Sequence, residues 1–371
     1  MNKKDNRKRK SVAIIILNWN GWKDTIECLE SLFKIDYPDY DVVIVDNNST
    51  NGSVDKIKGY LKGKTVVNSK YFSYDQSNKP LKYIEVDEEY IKPGKWGHKA
   101  VREGVCSLFN DIFDRKGNII IIKNKHNYGF AEGNNVAIDL ILRMGKHDYI
   151  NLLNNDTIVE REYLKFLIEC FEKNKRVGMT GPKIYFYDYE GKDAKNKDKE
   201  EGNDDIRIWF GGAKRDYIKG SFKQEGLCKE DSPESNIMKE VPFITGCCQL
   251  IKSEVFRKVG LYPADYYLYF DDVDFCQRVG GKFKMVYCPK SVIYHKVSSS
   301  IKSDRPKHIY YFNRARLIYL MKNFNLSNLI PLMFFAMSRS FLITYYLFTN
   351  KRDNLTALFR SFLIWKERVE Y

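Results

Sequence analysis

The chain has 371 residues, enough for one large core of about 250 residues with an appendage. Its 62 Lys+Arg outnumber 48 Asp+Glu, giving a net charge of +14, yet no zinc-finger spacing, helix-turn-helix signature or regular aromatic interleaving accompanies that charge, which argues against nucleic acid as the partner. The cysteines, Cys28, Cys106, Cys170, Cys228, Cys247, Cys248, Cys276 and Cys288, form no C-x-x-C pair and read as reduced, mostly buried small residues.

Residues 1–10 are a basic arm, solvated or resting on anionic lipid headgroups. No apolar segment of signal-peptide length stands ahead of Ser11, so a cytoplasmic location is expected. Val12 to Leu17 reads as a buried strand that runs into Asn18-Trp19-Asn20. A helix follows, with Asp24 as N-cap and Ile26, Leu29 and Leu32 or Phe33 on one face. Val42 to Val45 is a second strand, ending in Asp46-Asn47-Asn48-Ser49, and Asn51-Gly52 turns the chain into a helix from about Val54 to Leu61. This β-α-β-α order predicts a doubly wound, mostly parallel sheet flanked by helices.

Residues 64–117 are polar, Lys-rich and broken by Pro80 and Pro93, which suggests an insertion on the rim. Ile119 to Ile122 resumes the core, and Asn127-Tyr128-Gly129 turns into a helix reaching about Met144. The next strand, Tyr149 to Leu153, ends abruptly in Asn154-Asn155-Asp156. In open α/β sheets ligands sit beyond the carboxyl ends of the strands, so three strands deliver polar tips to one edge. A nearly all-charged stretch within 188–205 reads as a second rim insertion.

A second chemical cluster lies at Tyr266 to Arg278, where Asp271, Asp272 and Asp274 follow a run of aromatic residues. Three carboxylates so close repel one another unless a cation, a substrate hydroxyl or a helix N-terminus relieves them. Thr245-Gly246 precedes this cluster in a small-residue turn, and His295 ends a strand behind it. Residues 306–371 differ in composition: Leu326 to Phe348 is long and apolar enough for a span, but Arg339 sits in its middle at an insertion cost of about 2.5 to 3.5 kcal/mol. Helices lying on a bilayer are therefore expected in preference to a span or to packing on the domain.

These segments, from Leu17-Asn18-Trp19-Asn20 through Val45-Asp46-Asn47-Asn48-Ser49, Asn127 to Asn135, Asn154-Asn155-Asp156, Thr245-Gly246 and Tyr269 to Asp274 to Tyr294-His295, resemble in order the family 2 glycosyltransferases with the GT-A fold, especially their rhamnosyltransferase-like branch. The resemblance implies a GT-A domain over residues 11–305, leaving 306–371 as the C-terminal helical segment whose composition favours helices lying on a membrane. It also implies a nucleotide-sugar donor, dTDP-rhamnose or a UDP-sugar, Mg²⁺ or Mn²⁺, and inversion at the anomeric carbon. Carried over, Asn18, Asn20, Asp46, Asn48, Asn127, Gly129, Asn154 and Asn155 would bind the donor, Asp156 and His295 the metal, and Thr245, Gly246 and Asp274 the acceptor. Asp272 matches the catalytic base, with Asp271 beside it where the family usually has glutamate; Asn154 replaces the first acid of D-x-D. The acceptor would be a glycan or lipid-linked hydroxyl, met at the inner face of the cell membrane; the oligomeric state is left open. The rival classes are a nucleotidyltransferase, which would normally show a glycine-rich phosphate loop after the first strand, and a non-catalytic carbohydrate-binding protein of the same fold.

Overall fold

A computed structural model describes residues 10–91, 118–189, 206–297, 304–323 and 329–363. The basic arm up to residue 9, most of the second rim insertion and part of the first lie outside the described residues.

In chain order the strands are β1 (Val12–Asn18), β2 (Tyr40–Asp46), β3 (Tyr83–Asp87), β4 (Ile119–Lys123), β5 (Tyr149–Asn154), β6 (Thr157–Val159), β7 (Val177–Phe186), β8 (Ile208–Phe210), β9 (Ala213–Asp216), β10 (Ser221–Gln224), β11 (Lys239–Glu240), β12 (Cys248–Lys252) and β13 (Lys284–His295). The helices are α1 (Trp22–Leu32), α2 (Ser53–Leu61), α3 (Gly129–Met144), α4 (Tyr163–Lys173), α5 (Ser253–Val259), α6 (Asp271–Gly280), α7 (Arg305–Lys322), α8 (Leu329–Phe348) and α9 (Arg352–Ser361). All strands but β9 and β10 join one mixed sheet whose main path is β11-β13-β7-β12-β5-β1-β2-β4-β3. The half from β5 to β3 is parallel throughout, and β12 enters it antiparallel. Val12 to Ile16, Val42 to Val45 and Ile119 to Ile122 are buried along their whole length, as continuous β-branched runs must be when helices cover both faces of a sheet.

Two local expectations need correction. Helix α1 begins at Trp22 with Gly21 as its N-cap. Asp24 therefore sits inside the first turn, where its Oδ1 accepts from Lys296 Nζ at 2.6 Å. The stretch 64–117 is also not all rim, because Tyr83–Asp87 adds β3 as a parallel edge strand beside β4. Its pattern hid it: only Val86 is buried, as suits an edge strand, and Glu85 is partnered by Lys58 and Lys123.

Candidate active site

The parallel register aligns Asn18 with Asp46, and Asp46 with Lys123, so the polar residues after the runs emerge together. Asn18 is buried, and its Nδ2 donates to Asp46 Oδ1 at 2.7 Å and to Ser49 Oγ at 3.1 Å, while its Oδ1 accepts from Thr25 Oγ1 at 2.9 Å. Asp46 also accepts from Ser49 N at 2.9 Å. These bonds fix the two tips to each other. Asn20 and Asn48 both hold left-handed backbone, with φ of 54° and 61°, which asparagine tolerates better than most residues. Asn20 Oδ1 accepts from Thr50 N at 2.8 Å, and Asn48 is exposed.

Asn47, which the sequence reading did not single out, organises the next layer. Its Nδ2 donates to Asn127 Oδ1 at 2.8 Å and Gly129 O at 3.0 Å, and its Oδ1 accepts from Asn124 Nδ2 at 3.0 Å and Tyr128 N at 3.2 Å. Asn127 thereby also receives Gly129 N at 3.0 Å. Gly129 is required here, since its φ is +73° and a Cβ would stand 2.2 Å from Tyr267 O. That contact brings the turn after β4 against the aromatic run ahead of α6.

From β5, Asn154 N donates to Cys247 O at 2.9 Å, and Asn155 Nδ2 donates to Thr25 Oγ1 at 3.1 Å. Asp156 follows, just before β6. Because β6 pairs antiparallel with the end of β13, setting Thr157 opposite His295, Asp156 and His295 become neighbours. His295 Nε2 lies 3.1 Å from Asp156 Oδ1, with both side chains largely buried. Among the described residues His295 Nδ1 is buried without a partner. The ring of Trp209, from β8, stands edge-on to the His295 ring with centroids 4.5 Å apart. No sequence pattern pointed to Trp209. Lys296 N donates to Asp156 O at 3.0 Å, and Lys296 Nζ reaches Asp24 and Glu27 on α1.

The turn Thr245-Gly246-Cys247 links this pair to α6. Cys247 receives Asn154 on one side, and on the other Gly246 N donates to Asp272 Oδ2 at 2.9 Å. A Cβ on Gly246 would come within 3.4 Å of Asp272 Cβ, so the turn and the acid pack closely. Thr245 is buried, with Cys247 N 3.4 Å from its Oγ1. Tyr269 and Phe270 both have positive φ, 67° and 63°, and this bend delivers Asp271 and Asp272 at the start of α6. Asp271 is buried and its Oδ2 has no partner among the described residues. Burial, then the neighbouring Asp272 carboxyl, push its pKa up to about 8. Asp272 is half-buried. Burial raises its pKa too, opposed by the Gly246 N–H. Burial favours the neutral form of both acids, and the Gly246 N–H is the contact that supports charge on Asp272.

Asp274 departs from an acceptor contact. It is buried, its Oδ2 accepts from Tyr266 OH at 2.9 Å and its Oδ1 from Arg278 Nε at 3.1 Å. Arg278 then donates to Val259 O and Leu261 O, both at 2.8 Å. This carboxylate clamps α6 to the aromatic run and to the loop after α5.

Comparison with known proteins now decides the family. The model of glycosyl transferase family 2 matches residues 13–79 and 106–260, well over half of the chain. The chain belongs to that family. The match stops ahead of α6, so Asp271, Asp272 and His295 rest on the geometry above. Rhamnosyltransferase WbbL of Escherichia coli K12 is 24% identical over 262 residues, covering 68% of this chain and 91% of that protein. N-acetylglucosaminyl-diphospho-decaprenol L-rhamnosyltransferase of Mycobacterium tuberculosis is 27% identical over 101 residues, 27% of this chain but only 31% of its own length. Among solved structures, mannosyltransferase PcManGT from Pyrobaculum calidifontis, in complex with GDP-Man and Mn²⁺, has a TM-score of 0.49 at 13% identity, covering 97% of this chain and 89% of that one. The mostly parallel sheet flanked by helices, with helices at the C-terminus, is the GT-A-like architecture expected of the family.

Proposed function

We propose that the chain is an inverting hexosyltransferase that moves a sugar from a nucleoside-diphosphate donor, dTDP-rhamnose or a UDP-sugar, to a hydroxyl of a glycan or lipid-linked acceptor. The two rhamnosyltransferase relatives favour the rhamnose donor. The observation that carries the reading is the chain of contacts from Asp156 and His295 through Asn154, Cys247 and Gly246 to Asp272. It sets the Asp156–His295 pair and the Asp272 carboxyl at the same edge of the sheet, which supports a cation at the one and a base at the other.

The pair suits Mg²⁺ or Mn²⁺. Two ligands about 2.1 Å from such an ion on adjacent octahedral corners stand about 3 Å apart, and Oδ1 and Nε2 are 3.1 Å apart. Among the described residues no group of three or more His, Cys, Asp or Glu closes into a cage. That fits a cation held by one carboxylate, one imidazole, water and the donor's own phosphates. When bound, the ion would supply Lewis-acid stabilisation to the leaving diphosphate.

The chain's residues do the rest. Asp272 takes the proton of the acceptor hydroxyl as the new bond forms, worth about 10² to 10⁴ in rate. Gly246 N–H holds one of its oxygens in place. Asp271, protonated, adds no second negative charge beside it. Asn18, Asn20, Asp46, Asn48, Asn127, Gly129, Asn154 and Asn155 form the rim against which the nucleotide and its diphosphate would lie. Thr245 and Gly246 floor the acceptor side. The exposed apolar C-terminal helix supports work at the inner face of a membrane.

The test is nucleoside-diphosphate release from a panel of nucleotide sugars, with and without Mn²⁺, for the natural chain and for Asp272→Asn. Transfer that survives in Asp272→Asn would move the base elsewhere. A natural chain that binds donors but releases no diphosphate would be a carbohydrate binder.

A further inference from the structure

Helix α8 has two unlike faces. Pro331, Phe335 and Tyr346 are buried, and Arg339 falls on the same side, its guanidinium bonded to Asn313 of α7 and lying 4.8 Å from the centre of the Phe335 ring. The opposite face carries Ile330, Met333, Met337, Phe341 and Phe348, between 58% and 88% exposed, and continues toward Phe359 on α9. An apolar stripe this long on a surface marks a contact with something else. The other face is packed on the protein and carries Arg339 bonded to Asn313, which suits a helix lying along the interface.

The surrounding charge says what that something is. Residues 322–363 contain Lys322, Arg339, Lys351, Arg352 and Arg360 against Asp353 alone. Lys322 is held by Asp265, whereas Arg352 and Arg360 on α9 are exposed, where cations meet anionic headgroups. The inward face of α8 also touches the site: Phe335 shares one apolar cluster with Tyr266 and Phe270, the aromatic run that ends at Asp271. Tyr267 stacks on Tyr311 of α7 at 5.0 Å, and Tyr269 OH bonds His308 at 2.9 Å.

We infer that the exposed face of α8 docks on an anionic lipid bilayer, with Ile330, Met333, Met337, Phe341 and Phe348 among the acyl chains and the flanking cations at the phosphates. The loop that presents Asp272 then stands one helix, about 10 Å, from the membrane, and the acceptor hydroxyl is carried on a lipid. Only that last clause rests on the transferase reading. The test is co-sedimentation of the full chain with vesicles of phosphatidylglycerol and phosphatidylcholine, and with phosphatidylcholine alone. The natural chain should pellet with the anionic vesicles and partition at least about tenfold less with the neutral ones. Met333→Glu and Phe341→Glu should each weaken that partition by about tenfold or more, with urea midpoints unchanged. A natural chain that stays in the supernatant, or glutamate variants that pellet as well as it does, would overturn the inference. So would a chain that is dimeric by light scattering, becomes monomeric on Phe341→Glu and ignores vesicles, because the stripe would then be a contact between two copies. Vesicle binding that persists in a chain unable to transfer sugar would leave the inference standing and remove the transferase reading alone.

Discussion

Replacing Asp271 by asparagine should make the protein more stable, and only above mildly acid pH. Its carboxyl is buried beside Asp272, with a pKa raised from the ordinary 3.8 to about 8. Below about pH 4 the folded and unfolded chains both carry the proton, and the position contributes nothing to pH dependence. Between about pH 4 and 8 the unfolded chain loses the proton while the folded chain keeps it, so the native state loses stability as pH rises. At about 1.4 kcal/mol per unit this amounts to at most about 5 to 6 kcal/mol near pH 8, and because the pair shares the burden we expect about 2 to 4. Asparagine copies the shape and charge of the protonated acid, so it lifts that penalty without opening a cavity. Urea titrations of both proteins at about pH 4.5, 6 and 7.5 measure it: the two midpoints should nearly coincide at the lowest pH and separate steadily upward, the variant being the more stable. A gap that stays constant across the series, or one that favours the natural chain at the highest pH, would show that Asp271 does not hold a proton in the fold.

Asp272→Asn should keep donor affinity, measured by calorimetry, while transfer falls by about 10² to 10⁴. For Asp156→Ala and His295→Ala, calorimetric titration with Mn²⁺ present should show donor binding at least about tenfold weaker; unchanged affinity would remove the pair from the cation site. Asn47→Ala removes four hydrogen bonds between the end of β2 and the turn after β4, which should lower stability by about 2 to 4 kcal/mol in urea and weaken donor binding as well. Gly129→Ala drives a methyl to 2.2 Å from Tyr267 O, so the turn after β4 must move away from the aromatic run; loss of donor binding with the sheet's far-ultraviolet signal intact is the expected result.

The strand cores and their polar tips were legible because a fully covered parallel sheet leaves one kind of sequence, a β-branched run that stops sharply, as at Val45-Asp46 and Leu153-Asn154. Strand β3 was not, since Tyr83–Asp87 is an edge with a single buried side chain. The pairing of Asp156 with His295 depends on the antiparallel register of β6 with β13, which no local pattern encodes. Asp24 read as a cap because its partner, Lys296, lies 272 positions downstream. Asp274 looked like chemistry in a row of three acids, although Arg278, one helical turn later, was the visible hint of its clamp. Asn47 stood inside the motif at the end of β2, and only the fold reveals that its four bonds tie that strand to the turn after β4.

The sheet places β5 beside β1 near its middle and β13, the last strand among the described residues, close to one edge, and Asp156, after β5, meets His295 at the end of β13. A ribosome must therefore release roughly the first 300 residues before His295 can meet Asp156, although β1, β2 and β4 have long been able to associate. During synthesis the nascent chain passes through a stage with the tips of β1 and β2 in place and Asp156 without His295. Folding order thus delays the pairing of this carboxylate and imidazole until β13 has been delivered.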